Sequence, residues 1–259
     1  MRALPDDNLA YPVLLQLSTG FLGSGFYLGT DRGIHLITAR HVLFRDDGKT
    51  LVAPELTAVS YGQGPSESGE NRYRISLAAL EQNGNLRPHP DRDVAVIRVG
   101  TIKSAAQFAY SPGVVEQART KSGILVVKPE AVKPFEKVLV GNDVFVFGYP
   151  TSLGLKDIPQ LDHARPLLRK GIIAGRNDKL RNLTLDCPIY PGNSGGPVVE
   201  VEQRGLEFHF ATVGVISQFV PVVEEWINTM HRYSNIDIGN SGYSVATPMD
   251  YVLELASSF

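Results

Sequence analysis

The chain has 259 residues, of which 43% are hydrophobic and 20% are charged, and its formal net charge is −2. This balance excludes a broad basic surface for nucleic acid, and no stretch approaches the roughly 20 apolar residues that a membrane span requires. The only cysteine, Cys187, excludes an intrachain disulfide. Asp6 and Asp7 lie where a signal peptide would be apolar, so we expect a cytoplasmic protein that binds neither nucleic acid nor membrane.

Short β-type runs dominate the chain and are separated by turns rich in its 25 glycines and 17 prolines. Strands are predicted at 13–17, 25–29, 34–38, 74–77, 94–99, 123–127, 143–148, 169–175, 182–186, 197–201 and 208–216. The polar stretch 61–73 is predicted to be an exposed loop, and 100–137 is expected to connect two halves. Many short strands with little helix between them indicate an all-β sandwich or barrel.

Two helices are also predicted near the end of the chain. The sequence TPMDYVLELA has Thr247 as a candidate N-cap and Pro248 at the first helical position. The sequence VVEEWINTM at 222–230 has apolar residues at helical spacing, namely Val222, Val223, Trp226, Ile227 and Met230. That face is expected to pack on the second half of the molecule. Alternatively, the helix lies beside the substrate groove and gates or extends it, or it binds a partner protein.

Ser194 lies between Gly192-Asn193 and Gly195-Gly196-Pro197, a run that extends neither a helix nor a strand. A serine hydroxyl becomes a useful nucleophile only beside a base, which itself needs an orienting partner. Six histidines could supply that base: His35, His41, His89, His163, His209 and His231. Asp91 and Asp93 are the candidate orienting carboxylates, and Asp93 is favoured because it directly precedes an apolar strand.

The segments TARHV, DRDVAVIRV and PGNSGGPVV, in that order, resemble the trypsin-like serine peptidases of the chymotrypsin fold. The resemblance is strongest to the bacterial HtrA-type branch. Because few residues follow Ser194, we expect a bare protease unit without a PDZ domain, or one cut from a longer protein. The resemblance implies an all-β fold of two six-stranded antiparallel β-barrels with a C-terminal helix, and the helix predicted near 222–230 would be an insertion in this fold. Residues 1–120 would carry His41 and Asp93, and residues 121–259 would carry Ser194.

The resemblance also implies a catalytic triad of His41, Asp93 and Ser194, with the backbone N–H groups of Gly192 and Ser194 as the oxyanion hole. No metal or other cofactor is implied. Digestive members have an aspartate before the serine that pairs with a newly cut N-terminus, but Asn193 stands there in this chain. Activation is therefore expected to resemble that of HtrA-type members, with 151–170 as the candidate regulatory loop or, equally, as an ordinary surface loop.

Substrate binding is expected to involve Pro188, Ile189, Ser217, Gln218 and Phe219. Because neither Pro188 nor Ile189 is charged, the resemblance implies a shallow apolar pocket for small or medium aliphatic residues. The expected activity is that of a regulated intracellular serine endopeptidase acting on a protein or peptide, with a regulatory protein partner as a further expectation. The alternative is a catalytically silent binding module with the same fold.

Overall fold

The computed structural model describes residues 4, 5, 7–63, 69–104, 107–150, 160, 162, 165–228, 230 and 233–259. Within these residues the chain forms two antiparallel β-structures that follow each other in sequence. The two-sheet architecture predicted from the sequence is confirmed. His41, Asp93 and Ser194 lie where the two halves meet.

The first half is a ten-stranded sheet in which eight strands follow the order β6-β7-β3-β2-β1-β4-β5-β9. β8 pairs with β7, and β10 pairs in parallel with β2. The strands are β1 (Val13–Leu17), β2 (Leu22–Thr30), β3 (Gly33–Thr38), β4 (Glu55–Tyr61), β5 (Glu70–Ser76), β6 (Leu86–Pro88), β7 (Ala95–Ser104), β8 (Gln107–Tyr110), β9 (Val114–Ala118) and β10 (Val126–Val127). Buried aliphatic side chains such as Leu15, Leu36 and Ile97 form its core.

The second half is a closed six-stranded barrel in the order β11-β12-β13-β16-β15-β14. Its strands are β11 (Asp143–Gly148), β12 (Leu167–Asn177), β13 (Asn182–Asp186), β14 (Pro197–Arg204), β15 (Glu207–Asn228) and β16 (Tyr233–Pro248). Pairing of β11 with β14 closes the barrel, so neither strand leaves an open edge there. The core includes Val144, Ile173, Leu185 and Val213.

Three α-helices are present in the described residues: α1 (Arg40–Leu43), α2 (Leu77–Gln82) and α3 (Met249–Ser257). Three single turns of 3₁₀-helix lie at Asn8–Ala10, Pro129–Ala131 and Phe135–Lys137. Helix α3 begins one residue later than predicted, with Pro248 rather than Thr247 as its N-cap. The Thr247 hydroxyl instead shares a hydrogen bond of 2.7 Å with the Ser217 hydroxyl.

Helix α3 joins the two halves through its apolar face. Met249 and Val252 pack in one buried cluster with Phe26 and Ile37 of the sheet and Val215 of the barrel. None of the described helices is long and apolar enough to cross a membrane.

The predicted helix at 222–230 is wrong. Residues Pro221–Asn228 of β15 pair with Tyr233–Asn240 of β16 as a two-stranded antiparallel ribbon, which we call the arm. Adjacent apolar pairs such as Val222-Val223 and Trp226-Ile227 satisfy a helical period, but β-branched and aromatic residues also favour strands. Ile236 and Ile238, alternating on the opposite strand, supply the cross-strand partners that decide between the two.

The expected packing of that apolar face on the barrel is also wrong, because Trp226, Ile227 and Met230 are 64%, 68% and 85% exposed.

The first half has more strands than the six expected. Four strands were not predicted: β4, β6, β8 and β9. β8 and β9 come from the segment that we had taken as a connection between the halves, and they extend the sheet by pairing with β7 and β5. β10 lies within the strand predicted at 123–127 and pairs with β2. The predicted division between residues 120 and 121 falls between β9 and β10 and stays a prediction.

Candidate active site

His41 lies in the short helix α1, directly after β3. Its neighbours Val42 and Leu43 are fully buried in the core of the first half, while the His41 side chain is 42% exposed. Burial of these two residues holds the helix turn in place, so that the imidazole is presented at the surface of the sheet.

Asp93 holds His41 through two hydrogen bonds. The carboxylate accepts from the His41 backbone N–H at 3.0 Å and lies 2.8 Å from the imidazole Nδ1. With Nδ1–H donating to Asp93, the second ring nitrogen, Nε2, keeps its lone pair free to accept a proton. Arg40 supports this geometry because its guanidinium donates to the carbonyls of His89 and Pro90, at the start of the loop that carries Asp93.

Ser194 lies in a tight loop that two glycines make possible. Gly192 and Gly195 have φ values of +95° and +88°, a region that other residues rarely adopt. A Cβ atom on Gly195 would lie 2.1 Å from the Ser24 carbonyl oxygen and 2.2 Å from the Thr38 hydroxyl. Only glycine therefore allows this loop to approach the first half so closely.

Ser24 of β2 fastens the same loop to the rest of the molecule. Its backbone N–H donates to the Ser194 carbonyl at 2.9 Å, and its hydroxyl donates to the Gly192 carbonyl at 2.6 Å. The Ser24 hydroxyl also accepts from the backbone N–H of Tyr149, which follows β11, at 3.0 Å. One buried side chain of the sheet thus connects two segments of the barrel half.

Asn193 is 1% exposed and takes part in the loop as a neutral residue. Its side-chain oxygen accepts from the Tyr190 backbone N–H at 3.1 Å, and its own N–H donates to the Tyr190 carbonyl at 3.0 Å. These local bonds hold the loop without the charge that an aspartate would bring to a buried position.

The backbone N–H groups of Gly192 and Ser194 donate to no protein acceptor within the described part of the chain. The Ser194 hydroxyl donates to the Ser217 carbonyl at 3.5 Å, and within the same residues it makes no bond to His41. This long bond is weak, so rotation of the hydroxyl toward another acceptor meets little resistance.

His41, Asp93 and Ser194 all face one cleft of about 590 Å³. Four of the predicted substrate-binding residues also line it, namely Ile189, Ser217, Gln218 and Phe219. The structure does not bring Pro188 to this cleft: the residue is half-buried and is not part of the lining. Phe219 also packs against the barrel core, which fixes its position in the wall.

A family model described as a trypsin-like peptidase domain matches residues 23–206. The chain belongs to the trypsin-like peptidase family. The matched range contains His41, Asp93 and Ser194, so the residues that lie together in the cleft also lie within the family domain.

The fold of this trypsin-like peptidase is similar to that of solved HtrA-type proteases. It matches HtrA-type protease AlgW with tripeptide at a TM-score of 0.53 and 16% identity, covering 98% of this chain and 63% of that one. It matches Deg5 at a TM-score of 0.51 and 17% identity, covering 96% of this chain and 88% of the other. The chain thus spans less than two thirds of AlgW. Comparison with curated proteins finds no significant match.

Several residues of the cleft were not predicted from the sequence: Phe21, Arg40, Arg45, Asp46, Tyr190 and Pro191. Phe21 is 46% exposed just before β2, and an exposed aromatic residue beside a predicted strand is a weak signal that could have indicated it.

Among the residues that the structure describes, no group of three His, Cys, Asp or Glu side chains could hold a metal ion. Most of the candidate regulatory loop, 151–170, lies outside the described residues.

Proposed function

We propose that this chain is a serine endopeptidase in which Ser194 is the nucleophile, His41 the general base and Asp93 the orienting carboxylate. The observation that carries the proposal is the pair of hydrogen bonds from His41 to Asp93, beside a cleft that also contains Ser194. In this arrangement His41 has one nitrogen held by Asp93 and the other free for the serine proton.

The reaction begins when the Ser194 hydroxyl turns from Ser217 toward His41. Its oxygen attacks the peptide carbonyl carbon while its proton passes to His41 Nε2, and the resulting imidazolium is stabilised by Asp93. When the C–N bond breaks, His41 returns the proton to the leaving amine. Water, activated in the same way, then releases the acyl group and restores the free serine.

The unpaired N–H groups of Gly192 and Ser194 form the oxyanion hole of this proposal. They stabilise the negative oxygen of the tetrahedral intermediate because their own hydrogen-bonding capacity is not used within the described protein. Losing one such donor typically costs roughly 3–4 kcal/mol of transition-state stabilisation.

The proposed substrate is a protein or peptide with a small or medium apolar residue before the cut. Ile189 and Phe219 make the cleft wall apolar on the side of Ser217. Phe219 limits the space there because it is anchored in the barrel core. The solved structure of HtrA-type protease AlgW with tripeptide supports a peptide ligand for this fold. A peptide-library digest tests the preference, and cleavage after lysine or arginine would contradict it.

Labelling with a fluorophosphonate probe tests the proposed nucleophile. Wild-type protein and Ser257→Ala, which changes an exposed serine of helix α3, should be labelled equally. Ser194→Ala should not be labelled. If the wild type fails to react although circular dichroism shows an intact fold, the result would instead support a catalytically silent binding module. The hydrogen bond of the Ser194 hydroxyl to Ser217 rather than to His41 is consistent with that alternative.

A further inference from the structure

The arm carries an apolar surface that the described protein does not cover. It extends for about 25 Å at the usual rise of 3.3 Å per residue, and neither of its strands pairs with any other described strand over this length. Directly opposed residues of an antiparallel pair share a face. One face therefore carries Val223, Ile227, Ile236 and Ile238, which are 62%, 68%, 61% and 65% exposed.

An isolated two-stranded ribbon has no core of its own and is marginally stable in water. Contiguous exposed apolar residues of this kind mark interaction sites in soluble proteins. We therefore expect a binding partner to cover the arm, and the side chains of the arm indicate the chemistry of that partner.

The described arm residues are acidic as well as apolar. Glu224, Glu225 and Asp237 lie among them, and these residues include no lysine or arginine. Glu224 lies directly opposite Asp237, so two carboxylates share one position on the face that also carries Trp226. A partner that neutralises this pair must bring positive charge.

The arm also continues the wall of the cleft. Strand β15 contributes Ser217, Gln218 and Phe219 to the cleft and then runs on into the arm at Pro221. The outer backbone edges of the arm are unpaired in the described residues, and such an edge can accept an extended peptide as an added strand. A peptide antiparallel to β15 runs toward Ser194, so its residues on the arm precede the bond to be cut.

We propose that the arm binds the segment of a polypeptide substrate that lies upstream of the scissile bond, and that this segment alternates basic and apolar residues. The inference rests on the proposed peptidase function. It assigns specificity to a surface beyond the cleft, with apolar side chains covering Val223, Ile227, Ile236 and Ile238 on one face and cationic side chains meeting Glu224 and Asp237 on the other.

A second copy of the chain fits the arm less well. Two ribbons of this length packed face to face bury on the order of 500 Å², which is below the roughly 1,000 Å² of a stable interface. Such packing would also bury Glu225, which lies opposite Ile236 on the apolar face, and burying an unpaired carboxylate opposes binding.

Peptide binding to the intact Ser194→Ala chain tests this inference without cleavage. One fluorescent peptide contains only a cleft segment with an apolar residue at the cut. A second adds an upstream stretch of alternating lysine and leucine, and a third has glutamate in place of the lysines. Fluorescence anisotropy should show about tenfold tighter binding of the second peptide than of the other two.

Arm variants then locate the effect. Ile227→Ser combined with Ile236→Ser should abolish the gain from the upstream stretch but leave binding of the short peptide unchanged. Leu206→Ser is the matched control, because Leu206 is 98% exposed at the turn between β14 and β15, away from the arm. Glu224→Gln combined with Asp237→Asn should remove the preference for lysine over glutamate, because these two carboxylates face each other across the arm.

Equal binding of all three peptides would overturn the inference. So would a dimer, seen by sedimentation, that Ile227→Ser and Ile236→Ser dissociate. Fluorophosphonate labelling of the wild type distinguishes failure of this inference from failure of the proposed function. Normal labelling, with peptide binding unchanged by the arm substitutions, would contradict only the role of the arm. Absence of labelling would contradict the peptidase function itself.

Discussion

His89 Nδ1 accepts a hydrogen bond of 3.1 Å from the backbone N–H of Arg92 and a second, also of 3.1 Å, from that of Asp91. A ring nitrogen that accepts must be unprotonated, so the turn that leads to Asp93 is closed by a neutral histidine. The ring is buried between this turn and helix α3, where Tyr251 packs edge-on against it and Glu254 lies 3.8 Å from Nε2. Burial lowers the pKa of His89, with the nearby Glu254 opposing that effect.

His89→Leu should reduce kcat/KM by about tenfold or more, because it removes the acceptor that shapes the Asp93 loop and small displacements of catalytic groups are costly. His89→Asn should recover much of the activity, since an asparagine oxygen caps such turns. Steady-state kinetics of both variants, with circular dichroism to check folding, measure this. Equal losses in the two variants would contradict a role for the acceptor.

Asp93→Asn should lower kcat by roughly 10³–10⁴-fold, because an amide cannot hold the same imidazole tautomer or stabilise its charged form. Asp91→Asn should change activity little, since the structure brings the Asp93 carboxylate to His41. Parallel kinetics of the two variants on one substrate compare them directly. A dead Asp91→Asn enzyme beside an active Asp93→Asn enzyme would reverse the assignment.

His35 should make folding sensitive to acid. It is fully buried, and burial together with the nearby Arg98 lowers its pKa from 6.5 to about 4. Its contribution to stability is therefore complete above about pH 6.5 and is lost as pH falls toward 4, by about 3 kcal/mol in total.

Urea unfolding at pH 7.5 and pH 4.5 measures this effect. Wild type should lose about 2–3 kcal/mol more than His35→Gln over this interval. His209→Gln, at an exposed histidine, should behave as wild type. If wild type and His35→Gln lose the same stability, His35 is not the group responsible.

The Cys187 thiol should be inert in the folded protein. It is fully buried, and burial raises its pKa to about 11, so the reactive thiolate is scarce at neutral pH. Ellman's reagent at pH 8 should react about 100-fold more slowly with folded than with guanidinium-unfolded protein. Ser257→Cys in a Cys187→Ser background should react fast in both states, and equal rates for Cys187 in the two states would refute the prediction.

Trp226→Ala should change the free energy of unfolding by less than about 1 kcal/mol, because the indole is mostly exposed on the arm. Phe147→Ala, which truncates a fully buried aromatic residue of β11, should lower the same quantity by about 3–5 kcal/mol. Chemical denaturation of both variants makes the comparison. A large loss for Trp226→Ala would indicate that the arm packs against the barrel in solution.

The sequence predicts best what depends on local pattern. The strands at 13–17, 143–148 and 182–186 match the structure to the residue. These strands depend on a local alternation of buried and exposed residues. The resemblance of the segments around His41, Asp93 and Ser194 to trypsin-like peptidases implied that these residues lie together, and the structure brings all three to one cleft.

Features that depend on distant pairing were not predictable in the same way. The arm forms because Val223 and Glu225 find Ile238 and Ile236 across the ribbon, and no local period distinguishes that outcome from a helix. The cleft wall formed by Arg45 and Asp46 depends on where a surface turn folds back. Pro188 was placed by counting residues from Ser194, which does not determine how a side chain is directed.

Ser24 makes activity conditional on completed folding. The loop of Ser194 takes its shape only where the first half supplies the Ser24 hydroxyl and N–H and leaves room beside Thr38 for Gly195. A nascent chain in which only one half has folded therefore has no shaped nucleophile loop. We expect such a chain to be inactive toward other proteins during synthesis, until both halves have folded.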